Sequence, residues 1–334
     1  MKRGFPVVIV FLIIIGSVLL SGCTGPSEIK EDDKVLTELT FGYQPSTHQI
    51  AYMTADVKGW WLEDLAPFGI NKINENEFPT GAPEMQAMLA GHLDAAYVGA
   101  APVVSALSQG LDAKIVAGVQ TQGSNLVLRN DIQYNGPDDL KGLKLATYPP
   151  GTIQDTVLKD WLIKNKIDPD NDVEILPMGP GDAVTAISAG RVDGVFLPHP
   201  GPAIIESEGN GRSVVSSGEM LPNHACCVLV VSGKLIREKP ELVKQIVKTH
   251  IKATEYNKAH IDEAAEIFVQ KTEMDLDIIN KSLAEWDGTW ISNPDLIVNS
   301  TLNYTQVQYN LGYIDKPLTK DEIFDTSFYE AVKE

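Results

Sequence analysis

AGHLDAAYVGAAP runs from Ala90 to Pro102, and AGRVDGVFLPHP runs from Ala189 to Pro200. Ala-Gly, an apolar residue and Asp recur in register, so Asp94 answers to Asp193 and Tyr97 to Phe196. Each phrase follows a helical pattern, APEMQAMLAG before the first and GDAVTAISAG before the second. A second pair lies upstream in the same order: YQPSTHQ (Tyr43–Gln49) and YPPGTIQ (Tyr148–Gln154). Two matches in one order mean a duplicated unit of strand, turn and helix. Further strand candidates, LTELTFGY from Leu36, KIVAGVQ from Lys114, Leu126–Arg129, Lys144–Thr147 and Val228–Val231, are bounded by Gly, Asn or Pro. One helix is expected over Ala51–Leu62. Strands alternating with helices predict α/β lobes built on parallel sheets. Two such lobes would face each other with the carboxyl ends of their strands, where ligands of open sheets bind.

In both repeats a turn containing Pro45 or Pro150 leads into a helix. Ser46 lies three residues before Gln49, and Thr152 three before Asp155, the spacing of a capping box. A helix start leaves N–H groups free and carries partial positive charge, so it can hold an anion. Thr47, Gln49, Thr152 and Gln154 would add hydroxyl and amide groups. The Gly turns at Thr80-Gly81, Gly99-Ala100-Ala101 and Gly179-Pro180-Gly181 open further helices toward the same cleft. None of these loops holds Lys or Arg, whereas His48, His199 and His224 fall at cleft positions. Tyr43, Tyr97, Tyr148 and Trp290 are candidates to flank an apolar tail.

The N-terminus reads separately. Lys2 and Arg3 precede an apolar run from Phe5 to Leu20, and Leu20-Ser21-Gly22-Cys23 closes it. This is the order of a secretory signal, with an uncleaved anchor helix as the alternative. Residues 24–33 are polar and read as a tether. The net charge of −18 argues against a nucleic-acid partner. Cys226 and Cys227 stand in an apolar run and read as buried small hydrophobes. No CxxC or Cys/His metal-site spacing, nucleotide-binding loop or nucleophile elbow is present, so neither metal nor cofactor is expected.

GAPEMQAMLAGHLDAAYVGAAP (81–102), DLKGLKLAT (139–147), PPGTIQDT (149–156) and AISAGRVDGVFLPHPGPA (186–203) resemble the substrate-binding lipoproteins of ABC importers. The group is the one serving sulfonates, taurine, nitrate and thiamine precursors, the NMT1/THI5-like proteins. The resemblance implies a two-lobed periplasmic-binding-protein fold of type II, with the ligand cleft between two similar lobes. It implies a signal peptide over 1–22, lipidation at Cys23 and a tether over 23–35. One lobe would comprise 36–124 and 228–334, the other 125–227. Ligand-facing positions would be Gln44, Ser46, Thr47, His48, Thr80, Gly81, Ala100, Ala101, Gly151, Thr152, Gln154, His199 and His224. The implied role is a monomeric, extracytoplasmic, lipid-anchored protein. It would capture a small organic anion, an aliphatic sulfonate or taurine-like compound, and deliver it to a membrane permease with its ATPase. Nitrate, bicarbonate or a pyrimidine precursor are the alternative cargoes, and a pyrimidine-synthase-type enzyme is the alternative class.

Overall fold

The computed structural model describes residues 36–333. The signal, the tether and Cys23 lie outside the described residues. Among the described residues eleven strands are formed, in chain order: β1 (Glu38–Tyr43), β2 (Lys72–Glu77), β3 (Ala95–Gly99), β4 (Ala113–Thr121), β5 (Ser124–Leu128), β6 (Lys144–Thr147), β7 (Glu174–Pro177), β8 (Gly194–Pro198), β9 (Arg212–Ser216), β10 (Ala225–Ser232) and β11 (Thr289–Trp290). They make two sheets, ordered β11-β4-β10-β3-β1-β2 and β7-β6-β8-β5-β9.

The duplication is visible in that order. β2-β1-β3 corresponds to β7-β6-β8, and β4 corresponds to β9. The strand between β3 and β4 is β10, which follows β9 in the chain, and the strand between β8 and β9 is β5, which follows β4, so each sheet receives one strand from the chain leaving the other. Both insertions run antiparallel to their neighbours, whereas β1-β2, β1-β3, β6-β7 and β6-β8 are parallel. The sheets are therefore mixed rather than purely parallel. A chain leaving one sheet enters the next from the opposite end, which reverses the strand it adds.

The repeated aspartates hold this arrangement together. Asp94 accepts the Thr40 N–H through Oδ2 at 2.8 Å, and Asp193 accepts the Lys144 N–H through Oδ2 at 2.9 Å. The carbonyl of Asp94 accepts from Ser232 N, and that of Asp193 from Arg129 N. Each Asp thus ties the start of a parallel strand to the end of an inserted one. β3 and β8 lie inside their sheets and are buried along their whole length, as their unbroken small and apolar sequences require. β2, KINENE, is an edge strand whose exposed charges discourage further pairing.

Helix Ile153–Lys164 buries Val157, Leu158, Trp161 and Leu162. The single helix expected over 51–62 is instead two, Ile50–Val57 and Trp60–Leu65, because Gly59 adopts a left-handed φ of 72° between them. Among the described residues no helix is long and apolar enough to cross a membrane.

Candidate functional site

A cavity forms where the two sheets meet. It is lined by Gln44, Ser46 and His48 from the turn after β1, Gly81, Gly99 and Pro102 from helix starts of the first sheet, and Tyr148, Thr152, Ile153 and Gln154 after β6. Pro198 at the end of β8 and Cys226 and Cys227 in β10 complete the wall. Helices Gly81–Leu89, Ala100–Ser108 and Ile153–Lys164 all begin at this wall. The free volume is about 20 Å³ for the centre of a water-sized sphere, space for a water or two. An organic anion needs the sheets to move apart.

The two repeated turns differ in detail. Thr152 caps its helix by accepting from Asp155 N, and Asp155 Oδ2 accepts the Gly151 N–H at 3.0 Å. Thr152 Oγ1 also donates to the Pro149 carbonyl at 2.7 Å. Ser46 makes no side-chain cap; a short 3-10 turn, Thr47–Gln49, intervenes before the helix. Gln49 Oε1 reaches back to accept the Gln44 N–H at 2.7 Å. Gln154 Nε2 donates to Ser124 Oγ at 3.1 Å, at the first residue of β5.

Of the expected positions, Gln44, Ser46, His48, Gly81, Thr152 and Gln154 line the cavity, and the others do not. The Thr47 carbonyl accepts from Trp290 Nε1 at 2.9 Å, and the buried Thr47 Oγ1 has no partner among the described residues. Thr80 is buried as the residue before a helix start, and Ala100 and Ala101 point their methyls into the core. Gly151 faces a neighbouring groove shared with Pro102 and Ser105. Gln308 Nε2 donates to the carbonyls of both Ala101 and Gly151, each at 3.1 Å, and so fastens the two sheets' loops together. His199 Nδ1 meets Ser282 Oγ at 3.0 Å, and His224 Nδ1 meets Tyr304 Oη at 2.8 Å. Burial, then neighbouring His48, lowers His199 to a pKa of about 3, and burial lowers His224 to about 4. Both rings are therefore neutral at neutral pH, and neither supplies a cation to the cleft. Of the four aromatics, Tyr148 alone lines the cavity. Tyr43 and Tyr97 pack in the core beside Tyr52.

Cys226 and Cys227 were not legible as cavity residues. Neighbours in a regular strand point to opposite faces. Here the register of β10 against β4 slips on either side of Cys227, a bulge that re-aims side chains. Both sulfurs reach His48 Nδ1, Cys226 at 3.3 Å and Cys227 at 3.9 Å. His48 Nε2 lies 2.7 Å from the Gly123 carbonyl, which only accepts, so Nε2 carries the hydrogen and Nδ1 faces the sulfurs. The hydrogen bond from Cys226, then the proximity of His48, holds the Cys227 thiol below its usual range, while burial pushes Cys226 up.

Behind Gln44 lies Glu84, fully buried, accepting from Gln44 Nε2 at 2.7 Å with its other oxygen unpartnered. Burial holds its pKa well above the usual carboxylate range. A raised folded pKa favours folding at low pH, and that contribution is lost as pH rises through the folded value. E84Q keeps an oxygen to accept from Gln44 and never ionises. Calorimetry should find it melting a few degrees above the wild type at alkaline pH and no higher than the wild type in acid.

The comparisons with known proteins agree with this architecture. A 339-residue alignment at 27% identity, covering 100% of this chain and 98% of the relative, reaches a Bacillus subtilis (strain 168) protein named for binding aliphatic sulfonates. The fold matches the alkanesulfonate-binding protein of Xanthomonas axonopodis pv. citri bound to MOPS, with a TM-score of 0.76 at 18% identity over 86% of this chain and 98% of that one. It also matches the periplasmic nitrate-binding protein of Synechocystis PCC 6803, with a TM-score of 0.77 at 14% identity over 89% and 88% of the two chains. These relatives are binding proteins. The sequence profile of the NMT1-like family matches residues 32–269, and the chain belongs to that family.

Proposed function

We propose that this chain is the extracytoplasmic solute-binding protein of an ABC importer and not an enzyme. It captures a small organic anion, an aliphatic sulfonate or taurine-like compound, between two lobes. The observation that carries the reading is the convergence of three helix N-termini from both sheets on one cavity with no Lys or Arg in its lining. Their free N–H groups and dipoles favour an anion without a formal cation. Thr152, Gln154, Ser46 and Gln44 add neutral polar groups suited to sulfonate oxygens. The names of the relatives supply the cargo class.

The lobes follow the sheets. The chain crosses between them at Gln122–Gly123 and returns between Ser216 and Ala225. On this reading Ser124 goes with the second lobe and Ala225 with the first, within three residues of the expected division, because Ser124 pairs in the second sheet and Ala225 in the first. Opening about these crossings admits the solute, and closure gives the compact form described above. The signal and Cys23 would tether the monomer by lipid to the outer face of the membrane, beside the permease and ATPase that receive its cargo.

A thermal-shift screen of the purified protein tests the reading. The panel holds taurine, alkane- and arylsulfonates, nitrate, bicarbonate, sulfate and pyrimidines. A ligand at 100 times its Kd adds about 2.7 kcal/mol of stability, which a melting curve resolves. A rise confined to sulfonates is expected. A rise only with nitrate or bicarbonate, or only with pyrimidines, moves the cargo to an alternative class, and silence across the panel removes the anion reading.

A further inference from the structure

We propose that His48, Cys226 and Cys227 form a binding site for one soft d10 metal ion, Cu(I) or Zn(II), in the wall of the cleft. The three donor atoms make a nearly regular triangle. Cys226 Sγ lies 3.3 Å from His48 Nδ1, Cys227 Sγ lies 3.9 Å from it, and the sulfurs are 3.9 Å apart. A point equidistant from all three lies about 2.2 Å from each, within the range of about 2.0–2.3 Å for metal–nitrogen and metal–sulfur bonds. One ion would reach all three donors with no movement of the backbone. Two thiolates and an imidazole are the donors that soft cations select.

The surroundings point the same way. The bulge in β10 turns two adjacent cysteines onto one side of the strand, where regular pleating would separate them. The Gly123 carbonyl fixes the His48 ring from its far nitrogen at 2.7 Å, the outer contact that orients a metal-binding imidazole. Gln49 Nε2 donates to Cys227 Sγ at 3.6 Å. Gly123 itself admits the ring, because a Cβ there would stand 2.8 Å from His48 Nε2. All three donors are buried, and all three line the cavity, which leaves a fourth coordination position facing the cleft. Binding releases the two thiol protons to solvent and leaves the oxidation state of the ion unchanged. Sequence spacing offered no sign of this cluster, because His48 and the cysteines are 178 and 179 residues apart.

The inference stands on these distances and does not depend on the solute reading. Its test is metal titration of the reduced, purified protein under anaerobic conditions. Zn(II) and Cu(I) are each competed against a chromophoric chelator, and the bound form is examined by X-ray absorption. One equivalent is expected, with two sulfur ligands and one nitrogen ligand. The Zn(II) and Cu(I) arms decide which ion binds more tightly. Losing an outer contact to a metal ligand costs about 10–100-fold in affinity, so C226S and C227S, which lose a ligand itself, should each fall by at least about 100-fold. Circular dichroism confirms that the variants fold; if they do not, the wild-type absorption spectrum still decides. No stoichiometric binding of either ion by the folded, reduced wild type would overturn the proposal. So would a bound ion without sulfur ligands, or binding that survives loss of both cysteines.

Discussion

Between pH 7 and about pH 4.5 the folded protein is expected to lose about 3–5 kcal/mol of stability, before ordinary carboxylates titrate. Burial is the first cause in each of three histidines, lowering His199 to about 3 and His224 and His250 to about 4. A base with a depressed folded pKa contributes stability that is complete above its unfolded value near 6.5. That contribution is lost as pH falls toward the folded value, at about 1.4 kcal/mol per pH unit for each ring. Two buried acids oppose the loss. Burial raises the pKa of Glu84 and of Asp94, so both favour folding as the pH falls. Three rings against one or two acids leave a net slope of one or two protons over about two pH units. Urea unfolding at the two pH values measures the difference. Equal stability at both would mean that the rings are not held neutral.

The second large effect belongs to the first crossing between the sheets. Gly123 has a φ of +84°, and an added Cβ would lie 2.4 Å from Gln120 Nε2, 2.8 Å from His48 Nε2 and 3.0 Å from the Trp286 ring. Its N–H donates to Asp287 Oδ1 at 2.7 Å, and its carbonyl accepts from His48 and from His199 N. Asp287 Oδ2 also accepts the Gly218 N–H, joining both crossings to one carboxylate. Gly123→Ala should cost about 1 kcal/mol for the left-handed backbone and about 1–3 kcal/mol more for the forced displacement. Gly110 separates these causes. Its φ is +96°, but nothing lies within 4 Å of the added Cβ. Gly110→Ala should therefore lose about 1 kcal/mol alone. Equal losses in the two variants, read by calorimetry, would show that the packing around Gly123 yields without cost.

The duplicated phrases carried the architecture because the same residues perform the same structural task twice. Asp94 and Asp193 bind strand starts, and the turns after β1 and β6 both deliver helix starts to one cavity. Parallel pairing was misjudged for β5 and β10, since neither carries a local mark of direction; the crossings decide it. The cavity was half legible. Gln44, Ser46, His48, Gly81, Thr152 and Gln154 line it, as their place after strands suggested. His199 and His224 share that kind of loop position, yet neither lines the cavity, and the Nδ1 atoms pair with Ser282 and Tyr304 from much later in the chain. Cys226 and Cys227 look like core residues from composition, and they are buried. A one-residue bulge, which no pattern in HACCVLVVS announces, puts both in the cavity wall.

The most direct test of the solute-binding reading is isothermal titration of the anion found in the screen against the wild type, Thr152→Ala and Gln154→Ala. Thr152 caps the helix whose N-terminus opens the cavity, and Gln154 ties that helix to β5. Both variants are expected to fold, with the lost cap costing about 0.5–2 kcal/mol of stability. Each should bind roughly tenfold or more weakly, the loss that removing one hydrogen bond to a charged group implies. Unchanged affinity in both variants would contradict the account, because the anion would then bind somewhere other than the cavity between the sheets.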